Sequence, residues 1–167
     1  LVQNAAQMTQ RFAGTGVRLR PHLKTAKSMD VARIALDGNF GGITVSTLRE
    51  AEYFAEHGID DITYAIGLAP NKVARVAALI RRGVRFGGIV ESVVMAEAIS
   101  ARAEAEGVVI DLMIEIDSGE GRGGLIPGTA EVVTLGRTLH DLPGTRLSGV
   151  LTHAGNSYLC RSIAAVQ

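Results

Sequence analysis

Three short stretches of this sequence carry residue types that do chemistry. In Val17-Arg18-Leu19-Arg20-Pro21-His22-Leu23-Lys24, Val17, Leu19 and Leu23 alternate with Arg18, Arg20, His22 and Lys24. Strand geometry puts those two sets on opposite faces. A lysine amine attacks carbonyl carbon when it is neutral, and neighbouring positive charge or desolvation favours that form. Arg20 and His22, on the same face as Lys24, are placed to supply such a field. Lys27 falls beyond the strand and reads as a solvated residue of the first helical turn. The second stretch is Glu115-Ile116-Asp117-Ser118-Gly119-Glu120-Gly121-Arg122-Gly123-Gly124. Its glycines let the backbone turn sharply around one arginine, whose permanent charge and planar fork suit a carboxylate or a phenolate oxygen. The third, Thr152-His153-Ala154-Gly155-Asn156-Ser157-Tyr158, sets a histidine and a tyrosine just past an apolar run. Plainer readings exist for each: a solvated strand end, a surface glycine loop and a hydrogen-bonded histidine. The glycine spacing matches neither a P-loop nor a dinucleotide fingerprint. His57 and His140 sit in helical patterns with no metal-ligand spacing to anything.

The elements that must position these residues alternate between two periods. Apolar–polar alternation or short apolar runs predict strands at 17–24, 43–46, 61–66, 84–90, 108–117 and 146–153. Helical periodicity predicts helices through residue 12 and at 28–36, from 47, and at 71–82, 92–106 and 129–142. Thr47 followed by Glu50 has the form of a capping box, and Gly58, Gly83 and Gly107 stand where helices stop. This is the βα repeat of a parallel sheet. A doubly wound sheet and a (β/α)₈ barrel would both show it. Two strands favour the barrel, because 17–24 has a basic face and 108–117 an acidic one (Asp111, Glu115, Asp117). Open parallel sheets are covered on both faces and read as continuous apolar runs, whereas inside a barrel the two polar faces can neutralise each other. Lys24, Asp117 and His153 also fall at strand carboxyl ends, where barrels keep their functional groups. The fold class expected is therefore α/β, a (β/α)₈ TIM-type barrel present as a partial barrel of about six βα units.

Composition bounds the function. The 167 residues carry 17 basic and 17 acidic side chains, and that balance argues against nucleic-acid or membrane-surface partners. No apolar run is long enough to span a bilayer, and no signal-peptide pattern is present. A single cysteine, Cys160, excludes an internal disulfide and a cysteine-only metal site and fits a cytoplasmic setting. Both termini have the character of cut ends, since the chain opens without Met inside a helical pattern and closes soon after a strand.

The first stretch resembles the cofactor-lysine strand of fold type III pyridoxal phosphate (PLP) enzymes, the alanine racemase N-terminal-domain-like barrels. It is most similar to the D-threonine aldolase and D-serine dehydratase branch, whose motif reads Arg-Pro-His-x-Lys-Thr. The glycine-rich stretch resembles that family's Asp-x-Gly-x-x-Arg-x-Gly motif, and the stretch at 152–158 resembles its Thr-His-x-Gly-x-Ser-Tyr element. All three occur in family order over almost the whole chain. The resemblance implies that Lys24 forms the Schiff base with PLP, that Arg122 lies near the cofactor ring oxygen and the substrate carboxylate, and that His153 and Tyr158 contact the cofactor. Lys24, Arg122 and His153 are then the catalytic residues; none is a metal ligand. It further implies a lyase acting on a small-molecule β-hydroxy D-amino acid, homodimeric when full-length. A divalent metal (Mn or Zn) would be bound by residues absent from this chain. Residues 1–167 are expected to form a partial PLP-binding barrel domain, inactive alone, without the last barrel strands and a β-rich second domain. An alanine-racemase-type racemase and a non-catalytic PLP carrier are the alternatives.

Overall fold

The computed structural model describes residues 1–166. Its elements are α1 (Val2–Phe12), α2 (Met29–Leu36), β1 (Ile43–Val45), α3 (Leu48–Glu56), β2 (Asp61–Gly67), α4 (Val73–Arg81), β3 (Arg85–Val90), α5 (Val93–Ala105), β4 (Ile110–Ile116), α6 (Ala130–Asp141), β5 (Thr145–Thr152) and α7 (Ile163–Val166). The strands follow chain order in one sheet, β1-β2-β3-β4-β5, and β1–β2 and β4–β5 are parallel pairs. A doubly wound sheet reverses its strand order at a switch point. An order that never reverses is that of a singly wound barrel, so the fold is α/β with the strand order of a partial (β/α) barrel. Among the described residues no helix is long and apolar enough to cross a membrane.

The predicted strand at 17–24 is corrected to a single bridge, His22 with Thr44. The Thr44 N–H donates to the Pro21 carbonyl at 2.8 Å and the Leu23 N–H to the Thr44 carbonyl at 2.9 Å. The next rung on the amino side needs an N–H at position 21, and proline has none. On the carboxyl side the Leu23 carbonyl is taken by the Lys27 N–H at 2.9 Å, while the Ser46 N–H turns to Glu50 Oε2 at 2.8 Å. Both ends of the ladder are thus stopped chemically. The expected oily face survives only at Leu23, 3% exposed, whereas Val17 is 58% exposed.

The chain divides into two compact units, residues 1–66 with 74–88, and residues 67–73 with those from 89 onward. In the first unit Ile43, Val45, Ala51, Phe54, Ile62, Tyr64 and Phe86 form the buried core, with the Tyr64 and Phe86 rings stacked at 6.1 Å. Burying one such large side chain contributes roughly 1.5–3 kcal/mol. Thr47 caps α3 by accepting the Glu50 N–H at 3.1 Å. The Glu50 side chain reaches back, as a capping box requires, but it takes the Ser46 N–H instead of that of Thr47.

In the second unit Ile110, Leu112 and Ile114 of β4 are buried together with Leu135 and Leu139 of α6. The β4–β5 register shifts between Leu112 and Met113, so Leu112 faces Leu147 while Met113 faces Gly149. Ser148 is the extra residue of a β-bulge, which re-aims the rest of its strand. Arg20 pairs with Asp61 at 2.6 Å and Asp111 with Arg146 at 2.7 Å, so these two residues each find a partner on a neighbouring strand of their own unit.

Candidate functional site

Lys24 begins the turn that follows the His22 bridge. Its backbone N–H donates to His22 Nδ1 at 3.3 Å, and His22 Nε2 lies 3.2 Å from Ser46 Oγ. Because Nδ1 accepts, the ring proton belongs on Nε2, where it donates to the serine hydroxyl. His22 therefore ties the lysine's backbone to the end of β1. Lys24 itself is exposed, and no ion pair holds its amine among the described residues. Lys27 differs in both respects. Its amine pairs at 3.3 Å with Glu50, whose side chain is only 6% exposed, and its backbone is left-handed at φ 49°, a conformation few non-glycine residues adopt.

Arg20 does not supply the field expected of it at Lys24. Its guanidinium donates to the Ile43 carbonyl at 3.1 Å and is ion-paired to Asp61. Asp61 is the first residue of β2, so this charge is neutralised at the amino end of the strands. The Arg20 guanidinium also lies 4.9 Å from the Phe40 ring centroid. Arg20 holds the fold and Lys24 carries the free amine.

In the second unit the glycine loop springs from β4 and folds back on it. The Leu125 N–H donates to the Glu115 carbonyl and the Asp117 N–H to the Leu125 carbonyl, both at 2.9 Å. Asp117 Oδ1 accepts the Gly119 N–H at 2.8 Å and the Gly121 N–H at 3.1 Å. Those bonds, Gly121's first, hold its carboxyl below the ordinary range. Glu91, the residue after β3, accepts the Gly124 N–H at 2.6 Å. Gly124 has φ +97°, and a Cβ there would stand 2.7 Å from the Asp117 nitrogen, so no other residue fits. Burial pushes Glu115 above the ordinary carboxyl range and the Glu91 charge adds to this, while Arg122 and His153 pull the other way.

This loop presents Arg122 to the residue after β5. Arg122 Nη1 lies 3.5 Å from His153 Nε2, and His153 Nδ1 lies 2.8 Å from Glu120 Oε2. The Ser118 hydroxyl donates to the His153 carbonyl at 3.3 Å, and the Asn156 amide to the Ser118 carbonyl at 3.2 Å. Tyr158 stands edge-on to His153, with ring centroids 5.9 Å apart, and is itself 71% exposed. Arg122, His153 and Tyr158 are thus assembled around a fixed charge and an imidazole, which can bind an anionic oxygen and hold a proton beside it. Glu91, Glu115 and Glu120 belong to the same constellation, although sequence reasoning gave them no role. The period-two pattern of β4 had marked Glu115, and Glu91 follows a strand end. His57 makes a plain hydrogen bond from Nδ1 to the Tyr53 carbonyl at 2.7 Å. Among the described residues no group of three or more His, Cys, Asp or Glu side chains could hold a metal ion.

The family described as alanine racemase, N-terminal domain, matches residues 1–164. A D-threo-3-hydroxyaspartate dehydratase of Delftia sp. strain HT23 is 46% identical over 166 residues, which is 99% of this chain and 43% of that protein. A D-serine dehydratase of Dictyostelium discoideum is 29% identical over 171 residues, 95% of this chain and 43% of that one. A solved D-threo-3-hydroxyaspartate dehydratase, a cysteine-to-alanine mutant in the metal-free form, superposes with a TM-score of 0.90 at 45% identity, covering 99% of this chain and 44% of that one. The chain therefore spans less than half the length of the relatives it matches. With residues 1–164 matched, the chain belongs to the alanine racemase N-terminal domain family, and membership implies pyridoxal phosphate as the cofactor.

Proposed function

We propose that the full-length protein is a PLP-dependent lyase that acts on a β-hydroxy D-amino acid, with Lys24 as the residue that carries the cofactor. The observation that supports this most is the contrast between two lysines three positions apart. Lys27 is committed to Glu50, whereas the Lys24 amine is exposed and its backbone is fixed through His22. A held backbone with a free amine is what a covalent attachment point needs. Each unit by itself offers groups that suit such a cofactor: an exposed primary amine in the first, and in the second a guanidinium for an anionic oxygen with an imidazole 3.5 Å from it. When bound, PLP supplies an electron sink for bonds made or broken at the substrate's α-carbon.

The remaining work falls to the chain's own residues. Lys24 Nζ would hold the cofactor and, when free, carry the α-proton. The Arg122 guanidinium would bind the cofactor ring oxygen or the substrate carboxylate. His153 keeps Arg122 in place through Nε2, and Tyr158 supports His153 from its edge. Among the described residues no side-chain cluster would hold a metal ion. β5 exposes Leu147 and Val150, 39% and 65%, apolar side chains that further elements of the full-length protein would cover.

The names of the relatives favour elimination of the β-hydroxyl over racemisation. The test is to incubate the full-length protein with PLP and D-threo-3-hydroxyaspartate, D-threonine, D-serine or D-alanine, with and without manganese or zinc. Keto-acid or aldehyde from a hydroxy substrate supports the lyase. L-alanine from D-alanine, with no such product, rejects it in favour of a racemase, and binding of PLP with no turnover points to a carrier.

A further inference from the structure

We propose that Glu120 is a positioning residue, whose carboxylate fixes the His153 imidazole in the tautomer protonated on Nδ1 and so presents Nε2 to Arg122. The inference rests on the reading that Arg122 and His153 serve the cofactor.

Two partners with opposite hydrogen-bonding character specify the same tautomer. A carboxylate oxygen accepts, so Nδ1, 2.8 Å from Glu120 Oε2, carries the proton. A guanidinium only donates, so Nε2, 3.5 Å from Arg122 Nη1, presents its lone pair. His22 has the opposite assignment, because its Nδ1 accepts a backbone N–H. The histidine after β5 is therefore set by its surroundings, not by the ring's own preference.

The backbone is shaped to admit this carboxylate. Gly155 is buried, and a Cβ built on it would fall on the Glu120 carboxyl group. Its φ lies outside the left-handed region, so nothing in its backbone calls for glycine. Only the space that Glu120 occupies does. The two loops are also stitched together on either side of this contact, by Ser118 to the His153 carbonyl and by Asn156 to the Ser118 carbonyl. Glu120 and Arg122 belong to one loop, so a single loop grips both ring nitrogens. At metal-bound histidines the loss of a carboxylate that orients the ring costs about ten- to hundredfold, and a loss of the same order is expected here.

The test uses the full-length protein with histidine labelled by nitrogen-15, the His153 signal being assigned by its loss in His153→Asn. The wild type is expected to show a protonated Nδ1. Glu120→Ala is expected to lose that preference and to lower kcat about ten- to hundredfold with little change in KM. Glu120→Gln is expected to retain both, because the amide oxygen still accepts from Nδ1. Gly155→Ala should reproduce the Glu120→Ala loss on its own and add nothing in the Glu120→Ala background, where the space is vacant. An Nδ1–H tautomer that persists in Glu120→Ala overturns the proposal, as does a Gly155→Ala loss that adds in full to that of Glu120→Ala. If Glu120→Ala does not fold, the wild-type tautomer and the Glu120→Gln variant decide the matter. Failure of PLP to attach at Lys24 would instead sink the functional reading and leave the tautomer result standing.

Discussion

Gly124→Ala is expected to be among the most damaging single-methyl changes in the second unit, and Gly128→Ala supplies its control. Both glycines lie in the left-handed region, at φ +97° and +82°, which costs an alanine about 1 kcal/mol or slightly more. At Gly128 nothing lies within 4 Å of the added carbon, so that cost is the whole effect. At Gly124 the carbon meets the Asp117 nitrogen at 2.7 Å, the Ile116 carbonyl carbon at 2.8 Å and the Glu115 carbonyl carbon at 2.9 Å. All three are backbone atoms and cannot rotate away. Relief requires the loop to lift from β4, which strains or breaks the Leu125 bonds to Glu115 and Asp117 and the Gly124 bond to Glu91. Overpacking at about 1–3 kcal/mol and about 1 kcal/mol per lost hydrogen bond bring the expected loss to about 3–5 kcal/mol. Urea unfolding followed by circular dichroism measures both variants. Because Arg122 rides on this loop, affinity for PLP should fall in Gly124→Ala and hold in Gly128→Ala. Equal destabilisation by the two would refute the packing of the loop against β4 and the reasoning built on it.

Other consequences are open to the same measurement. Arg20→Met takes the 2.6 Å partner from the Asp61 carboxylate, 15% exposed, and leaves it only Arg85 at 3.5 Å, with an expected cost of about 1–3 kcal/mol; a neutral effect would restore Arg20 to the free face expected from sequence. Thr47→Ala removes the cap that accepts the Glu50 N–H, and its urea midpoint should fall by the equivalent of about 1 kcal/mol. Glu115 has a folded pKa raised above the ordinary 4.5, chiefly by burial. Its contribution to stability is thus complete below that value and lost as pH rises through the raised one. Glu115→Gln should therefore gain on the wild type as pH rises from about 4 to about 7, by less than about 1 kcal/mol given the solvent near this group. A gain that shrinks with pH would show that the attraction of the Arg122 charge outweighs burial.

Local signals carried most of the fold into the sequence. The helix stops at Gly58, Gly83 and Gly107 stand at φ 92°, 89° and 67°, and the Thr47 cap forms as its spacing implied, because each depends only on residues a few positions away. The strand predicted at 17–24 failed because alternation reports which face a side chain takes but not whether the ladder has donors. Pro21 removes one donor, and the Lys24 turn consumes the acceptor that would follow. Arg20 was misread for a related reason, since its partner Asp61 lies 41 residues on. Lys24, Arg122 and His153 stand in short local motifs, which is why the sequence singles them out. Glu120 was not, because its contact with His153 spans 33 positions and depends on the missing side chain at Gly155. The bulge at Ser148, which sets how β5 delivers His153, leaves no mark in an apolar–polar pattern.

Attachment of the cofactor tests the central claim most directly. The full-length protein is incubated with PLP, reduced with borohydride and digested, and the pyridoxyl-bearing peptide is sequenced by mass spectrometry. The expected result is one label on the Lys24 side chain, with Lys27 unmodified and paired to Glu50, and no label in Lys24→Ala. A label on Lys27 with Lys24 unmodified, or undiminished labelling of Lys24→Ala, would contradict the assignment.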